Sequence, residues 1–310
     1  MKEGKEPDRV HLFTWNLNFP GGREDTERLK RICRALVGHL GGGTPVIAAF
    51  QEVPEAFEQE LMAVSNGQLQ VVQRLSHHVA LVVGGGARPA QGSQVCAIGS
   101  PKGGIGRRIL VGDFTVEGLG RSIRVIAVHH PSKMELPPGA SRGGRMLTCA
   151  DAVREAWNGV PAVILGDLNA NPYEDEVAGR DWLWGLRDRA DISRVREGRN
   201  AVDLHPPLWN PMWRFLPEAG WPSLKEEAAH HSQPLARGTF HWHDDKASLK
   251  WHLLDQILLS ADLADQLRTL RILTTLDGSN ACLAKPSGIP DKNMYSDHLP
   301  VQAAMAFHKE

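Results

Sequence analysis

The stretch RRILVGDFTVEGLGRSIRVIAVHHP, Arg107 to Pro131, holds two apolar, β-branched runs separated by Glu117-Gly118-Leu119-Gly120. A glycine-rich break this short reads as a hairpin turn, so the two runs pair antiparallel. The runs just before it, VALVVGG (79–85) and SQVCAIGS (93–100), have the same character and extend the hairpin into a meander. Upstream, VHLFTWNLN (10–18) reads as a strand. From Glu24 to Leu40, the residues Leu29, Ile32, Leu36, Val37 and Leu40 recur at helical spacing and stop at Gly41-Gly42-Gly43. PVIAAF (45–50) follows as a short buried strand, and Phe57, Leu61 and Val64 share one face of a second helix. Downstream come a helix over Arg145–Trp157, a buried strand in PAVILGDLN (161–169) and a further group of strands toward the C-terminus. Strand and helix order with many hairpins predicts two packed sheets with helices outside, rather than a doubly wound parallel sheet.

The 310 residues are 42% hydrophobic and 23% charged, enough apolar material for a sizeable core. A formal net charge of -1 argues against coating nucleic acid through bulk positive charge and leaves room for a local basic groove. The opening MKEGKEPDRV is charged and carries no secretory apolar core, no run approaches a membrane span, and the four cysteines form no CxxC pair. These features predict a cytoplasmic protein with reduced thiols, Cys33 and Cys149 lying in helices as core residues. No internal repeat is evident. The expected organisation is one domain over 1–310 with an irregular insertion at about 204–237, rich in proline and carrying Trp209, Trp213 and Trp221. That segment reads either as a loop packing its tryptophans on the body or as a lid facing substrate.

Polar residues close the apolar strands again and again. Asn16 and Asn18 end the first, Glu52 follows VIAAF, His129 and His130 end IRVIAV, Asp167 and Asn169 end AVILG, and Asp297 and His298 precede a last apolar run. Residues two apart in a strand face the same way, so Asp167 and Asn169 share a face, whereas at most one of the adjacent histidines serves a given site. WHLLDQILLSADL (251–263) adds a puzzle, since Asp255 sits inside an apolar strand where a lone carboxylate costs several kcal/mol. Carboxylates and amides are hard oxygen ligands suited to Mg2+ or Mn2+, imidazoles can donate to a phosphoryl group, and a further carboxylate can take a proton from water. The combination is what metal-assisted phosphoester hydrolysis requires.

TWNLN (14–18), AFQEV (49–53), VHHPS (128–132), LGDLNANP (165–172), GTFHW (238–242), LLDQILLS (253–260) and SDHLPV (296–301) resemble, in order, the motif set of the endonuclease/exonuclease/phosphatase superfamily, the deoxyribonuclease-I-like fold. The resemblance implies an α/β (α+β) four-layer sandwich, two mainly antiparallel β-sheets packed face to face and flanked by helices, with the site at one edge. It implies Glu52 as the main Mg2+ ligand, with Asn16 beside it at the metal holding metal-bound phosphate or water, and Asp297 as a further metal or water contact. Asp167 would orient or deprotonate the attacking water, Asn169 would hold phosphoryl oxygens, and His129 would contact phosphate or assist the leaving group. His298 would be a phosphate-binding imidazole kept protonated by Asp255. Departures are visible too. Relatives that cut at abasic sites carry a tyrosine in a Y-x-P-N stretch where this chain has VHHPSK, and inositol-polyphosphate 5-phosphatases show P-A-W-C-D-R where it has WHLLDQ. Gln256 stands where the family often has tyrosine, with no role to assign.

The implied function is a Mg2+-dependent nuclease acting on DNA, RNA or a nucleotide-like substrate, with Arg107 and Arg108 of the basic turn PKGGIGRR and with Trp209 and Trp213 of the insertion as substrate contacts. The alternatives are a phosphoesterase of a small phosphorylated metabolite or lipid headgroup, and a non-catalytic binding module. Fourteen histidines also raise a zinc site, with His241 and His243 able to share a strand face, but no HExxH or Cys/His ligand set accompanies them.

Overall fold

Ile109–Val116 and Ser122–His129 do pair antiparallel, Ile109 opposite Val128 and Thr115 opposite Ser122. The structure, a computed structural model, describes residues 8–20, 25–98, 108–116, 122–132, 142–158, 160–197, 206–216, 236–242 and 249–307. In chain order the elements are β1 (Asp8–Asn16), α1 (Thr26–Leu40), β2 (Val46–Gln51), α2 (Phe57–Ser65), β3 (Leu69–Leu75), β4 (Val79–Gly84), β5 (Ala87–Pro89), β6 (Cys96–Ala97), β7 (Ile109–Val116) and β8 (Ser122–His129). Then follow α3 (Arg142–Trp157), β9 (Ala162–Asp167), α4 (Asp175–Ala178), β10 (Gly185–Leu186), α5 (Arg189–Glu197), β11 (Leu208–Trp209) and a 3-10 turn (Pro211–Phe215). The last group is β12 (Phe240–His241), β13 (Trp251–His252), β14 (Asp255–Ser260), α6 (Ala261–Ala264), β15 (Leu267–Ile272), β16 (Thr275–Leu276), β17 (Ala281–Cys282) and β18 (Val301–Phe307).

Two large sheets result, one in the order β15-β18-β1-β2-β4-β3 and the other β10-β11-β14-β9-β8-β7-β5, with β6 also on β7. Most pairs are antiparallel, but β1 with β2, β8 with β9 and the short β10 with β11 run parallel. In the first two pairs a helix, α1 or α3, is the connection, and a crossover of that kind returns the chain in the same direction. Helix α1 begins at Thr26 rather than Glu24 because the Asp25 side chain accepts from Arg28 N at 3.1 Å and caps it.

Alternation sorts the side chains into layers. Val10, Leu12, Ile47, Ala49, Val125, Val163, Ile257 and Val301 meet between the two sheets. Phe13, Trp15, Ala48 and Phe50 face the other way and pack under Leu29, Ile32 and Leu36 of α1 and Phe57 of α2. Ile126, Val128, Ile164 and Leu258 pack under Cys149, Val153 and Trp157 of α3. The central strands β2, β4, β9 and β14 are buried on both faces, which is why they read as unbroken apolar runs. Each fully buried large aliphatic side chain contributes ~1.5–3 kcal/mol. Burial, with Glu60 nearby, pushes the Cys33 thiol up to about 12, and burial does the same to Cys149. No helix among the described residues is long and apolar enough to cross a membrane.

One glycine sets the spacing on which the functional residues depend. Gly166, immediately before Asp167, has φ 148°, and a Cβ there would lie 1.9 Å from Val128 O on the parallel neighbour β8. Gly166→Ala therefore forces β8 and β9 apart, and urea denaturation should show a loss of roughly 2–4 kcal/mol. A loss below about 0.5 kcal/mol would mean that the strands can separate freely.

Candidate active site

The period-two pattern of the inner layer continues past its apolar residues into polar ones at one edge of the sandwich. On β1, Val10 and Leu12 are followed by Thr14 and Asn16; on β8, Val125 and Ala127 by His129; on β9, Val163 and Leu165 by Asp167. On β14 the order runs backwards, from Leu259 and Ile257 to Asp255, because that strand is antiparallel to β9. Asp255 thus opens its strand rather than interrupting it, directly opposite Asp167, which in turn pairs with His129. Three strands place a carboxylate, a carboxylate and an imidazole side by side on one face.

Hydrogen bonds tie this row to the other sheet. Asn16 Nδ2 donates to Asp167 Oδ2 at 2.9 Å and to Glu52 Oε1 at 3.1 Å, spanning the gap between the sheets. His298 Nδ1 lies 2.7 Å from Asp255 Oδ2, and both side chains are buried. His129 Nε2 is 3.7 Å from Glu52 Oε1, and His298 Nε2 is 4.0 Å from Asp297 Oδ1. Asn169 donates its backbone N–H to Asp167 Oδ1 and its side-chain amide to His130 O, each at 2.8 Å.

Burial separates the protonation states of these groups. Burial would lower His298, but the Asp255 carboxylate, through its charge and its hydrogen bond, and then Asp167 and Asp297 lift it to about 10. His129, buried with Arg108, His78, His298 and His130 around it, is held well below the usual imidazole range and is neutral. Burial raises Asp167 to about 7; His298 opposes that rise, Asp255 adds to it, and the bonds from Asn16 and Asn169 oppose it. The site therefore offers a fixed imidazolium, a neutral imidazole and a carboxylate able to exchange a proton near neutrality.

No protein-family model and no curated protein matches the sequence. Solved structures do match, over nearly the whole chain. An endonuclease/exonuclease/phosphatase from Bacteroides vulgatus aligns with TM-score 0.56 and 13% identity, covering 97% of this chain and 99% of that one. D. rerio TDP2 complexed with single-strand DNA product gives TM-score 0.54 and 15% identity, with coverages of 96% and 98%. The 3' phosphatase NExo from Neisseria, bound to product DNA hairpin, gives 0.53 and 18%, with coverages of 96% and 99%. The chain has the endonuclease/exonuclease/phosphatase fold.

Within that fold, Asn16, Glu52, His129, Asp167, Asn169, Asp255, Asp297 and His298 gather at one edge. Asn16 Oδ1 accepts from Asn18 N at 2.9 Å, and its nitrogen donates to the Glu52 and Asp167 carboxylates. It links the two carboxylates across the sheets. Among the described residues no three of His, Cys, Asp and Glu converge as a metal-binding group. A hard divalent cation that keeps most of its waters needs only one or two carboxylates, and Glu52 and Asp297, both partly exposed, fit that demand. Both act electrostatically on the same guanidinium, that of Arg28.

The substrate contacts expected from the sequence fare unevenly. Arg107 and His243 lie outside the described residues. Arg108 stands beside the cluster, its carbonyl accepting from His129 N at 2.9 Å. Trp209 is not brought there: it pairs with Leu259, at the far end of β14 from Asp255, and its indole donates to Arg187 O at 3.2 Å. Trp213 is half-buried in the 3-10 turn and makes no hydrogen bond to the cluster among the described residues. His241 is buried edge-on against Trp251, ring centroids 4.9 Å apart.

Several residues of the same motifs act without having been singled out. Thr239 Oγ1 accepts from Leu254 N and Asp255 N, at 3.0 and 3.1 Å, and fixes the start of β14. Ser296 Oγ donates to Asn16 O at 2.6 Å and accepts from His298 N at 3.1 Å, and Trp15 Nε1 donates to His298 O at 2.9 Å. The Phe240 ring lies 4.8 Å from that of His298. Their membership in GTFHW, SDH and TWNLN was the signal available for finding them.

The Asp255–His298 pair has a pH signature. A histidine raised on folding adds stability that is complete below its unfolded value of 6.5 and vanishes as pH climbs through about 10. Wild type should therefore melt above Asp255→Asn at pH 7, and the gap should shrink steadily between pH 7 and 10 in a calorimetric series. A gap independent of pH would mean that His298 does not carry the charge.

Proposed function

We propose that this chain is a divalent-metal-dependent phosphoesterase, a nuclease that hydrolyses a phosphodiester of DNA or RNA by attack of water. The observation that carries the reading is the buried Asp255–His298 pair at 2.7 Å, set beside an Asp167 that Asn16 links to Glu52. Glu52 and Asp297 would hold Mg2+ or Mn2+, which when bound supplies positive charge against the phosphoryl oxygens. Asp167, raised to about 7, takes the proton of the attacking water. His298 stays protonated and donates to a phosphoryl oxygen, and Asn169 offers its second amide hydrogen to the charge that builds in the transition state. His129, neutral and 3.7 Å from Glu52, is placed to contact the phosphate or the leaving oxygen.

Nucleic acid is favoured as substrate by the likeness in fold to TDP2 complexed with single-strand DNA product and to NExo bound to a product DNA hairpin. A phosphatase or phosphodiesterase of a small metabolite or lipid headgroup is the second reading, favoured by the net charge of -1, which provides no bulk attraction for a polyanion.

Single-stranded and duplex DNA, RNA and a panel of phosphorylated small molecules, each with Mg2+, Mn2+ or EDTA, separate these readings. Hydrolysis should require the cation, stop with EDTA, and fall at least ~100-fold in Glu52→Ala and in His298→Ala. Turnover that survives EDTA, or equal turnover by wild type and both variants, would overturn the proposal.

A further inference from the structure

Gln256 follows Asp255 on β14 and is fully buried. Its side-chain amide is engaged at both ends. Nε2 donates to Ala170 O at 2.6 Å and to Leu253 O at 2.9 Å, while Oε1 accepts from Asn210 Nδ2 at 2.8 Å. Ala170 is the residue after Asn169. Asn210 belongs to the proline- and tryptophan-rich segment and caps its 3-10 turn, accepting from Met212 N at 3.0 Å and donating its backbone N–H to Leu186 O at 2.8 Å. Asn210 too is fully buried.

The chemistry of the amide gives this chain of bonds a direction. Two carbonyls face Gln256 Nε2, so its oxygen must point the other way, where a buried acceptor needs a donor. Asn210 is that donor. We propose that Asn210 and Gln256 are positioning residues, a buried amide relay through which the 206–216 stretch holds the Asp167–Ala170 turn in its working geometry. The turn leaves β9 through Asn169 in a left-handed conformation, φ 50°. It is then held at Leu168 N by Leu254 O, at Asn169 by His130 O, and at Ala170 O by Gln256. The last hold is the one that reaches into the insertion. The catalytic half of this inference rests on the hydrolase reading above, whereas its structural half stands on the hydrogen bonds alone.

Asn210→Asp tests it. The variant keeps an acceptor for Met212 N and so keeps the cap, but it sets an anion against Gln256 Oε1. The amide must turn over, which puts its oxygen against Ala170 O and Leu253 O. A merely structural cap would not notice the change. On whichever phosphoester the wild type hydrolyses, kcat should fall about 10- to 100-fold, the range expected when a catalytic turn shifts by about an ångström. KM should stay within about twofold, since no substrate contact is removed. Hydrogen–deuterium exchange should quicken about tenfold at Asn169–Asn171 and stay unchanged at Val163–Leu165. Asn210→Ser, which caps well and cannot reach Gln256, carries the same readouts if Asn210→Asp does not fold. Unchanged kcat and unchanged exchange overturn the relay, as does a loss lying in KM alone. Faster exchange at the turn in a chain whose wild type hydrolyses nothing would uphold the relay and remove the hydrolase reading.

Discussion

Asp255 has no exposed surface, and an ionised carboxylate in that position costs several kcal/mol unless a partner compensates it. His298, 43 residues along the chain, is the partner. Meeting that need fixes much more than one side chain. Trp15 holds the His298 carbonyl, Ser296 links His298 N to Asn16 O, and Thr239 takes the amides that begin β14. Segments from both ends of the sequence and from its middle are drawn to one edge of the sandwich. From that edge Val301 leads into β18, which lies antiparallel to β1 along its full length. The pair that serves the site thus also closes the sheet.

The same low-dielectric setting divides labour among similar groups. His298 and His129 are both buried, yet one is raised and the other lowered: at His298 the carboxylate at 2.7 Å outweighs burial, whereas burial lowers His129 and Arg108 and the neighbouring histidines add to that. Among the carboxylates, Asp167 is kept near neutrality by burial and by Asp255 opposite it. Opposed environments of this kind are how one site holds an acid and a base at a single pH. Asn16 gives one hydrogen of its amide nitrogen to Glu52 and the other to Asp167, so the two carboxylates are held in fixed relation across the sheets.

What could be read from the sequence was what strand geometry makes periodic. His129 and Asp167 fall two residues past a buried apolar neighbour and Asn16 four past Leu12, so their common face follows from alternation. Glu52 and His298 lie outside strands; their places beside apolar runs singled them out, and the motif resemblance supplied their roles. The parallel pairing of β1 with β2 and β8 with β9 was obscured by the hairpins on either side, although α1 and α3 required it. Trp209 was hard to place for another reason: loop composition offered packing on the body or facing substrate, but not which end of β14 the ring meets. Gln256 and Arg28 were silent because their partners are tertiary. Gln256 reaches Ala170, 86 residues away, and Arg28 reaches Tyr295 O, 267 residues away, and neither spacing leaves a trace in a local pattern.

Three of the polar strand ends share one backbone feature. Asn18, Glu52 and Asn169 have φ of 52°, 49° and 50°. Asparagine enters this left-handed region at little cost, but glutamate does not, and glycine would serve the backbone better. The reason for Glu52 must therefore lie in its carboxylate. Strain of about 1–3 kcal/mol persists only where neighbours over-determine the conformation, and here they do. Phe19 N donates to Glu52 O, Glu52 N to His78 O, and the flanking residues are tied by Leu17 N to Gln51 O and Val53 N to His77 O. The main chain thus fixes where the Glu52 side chain starts, and Asn16 Nδ2, donating to Oε1 at 3.1 Å, holds its tip. Under the hydrolase reading, an anchored carboxylate of this kind reorganises less when charge arrives beside it, which is how a preorganised site gains over water.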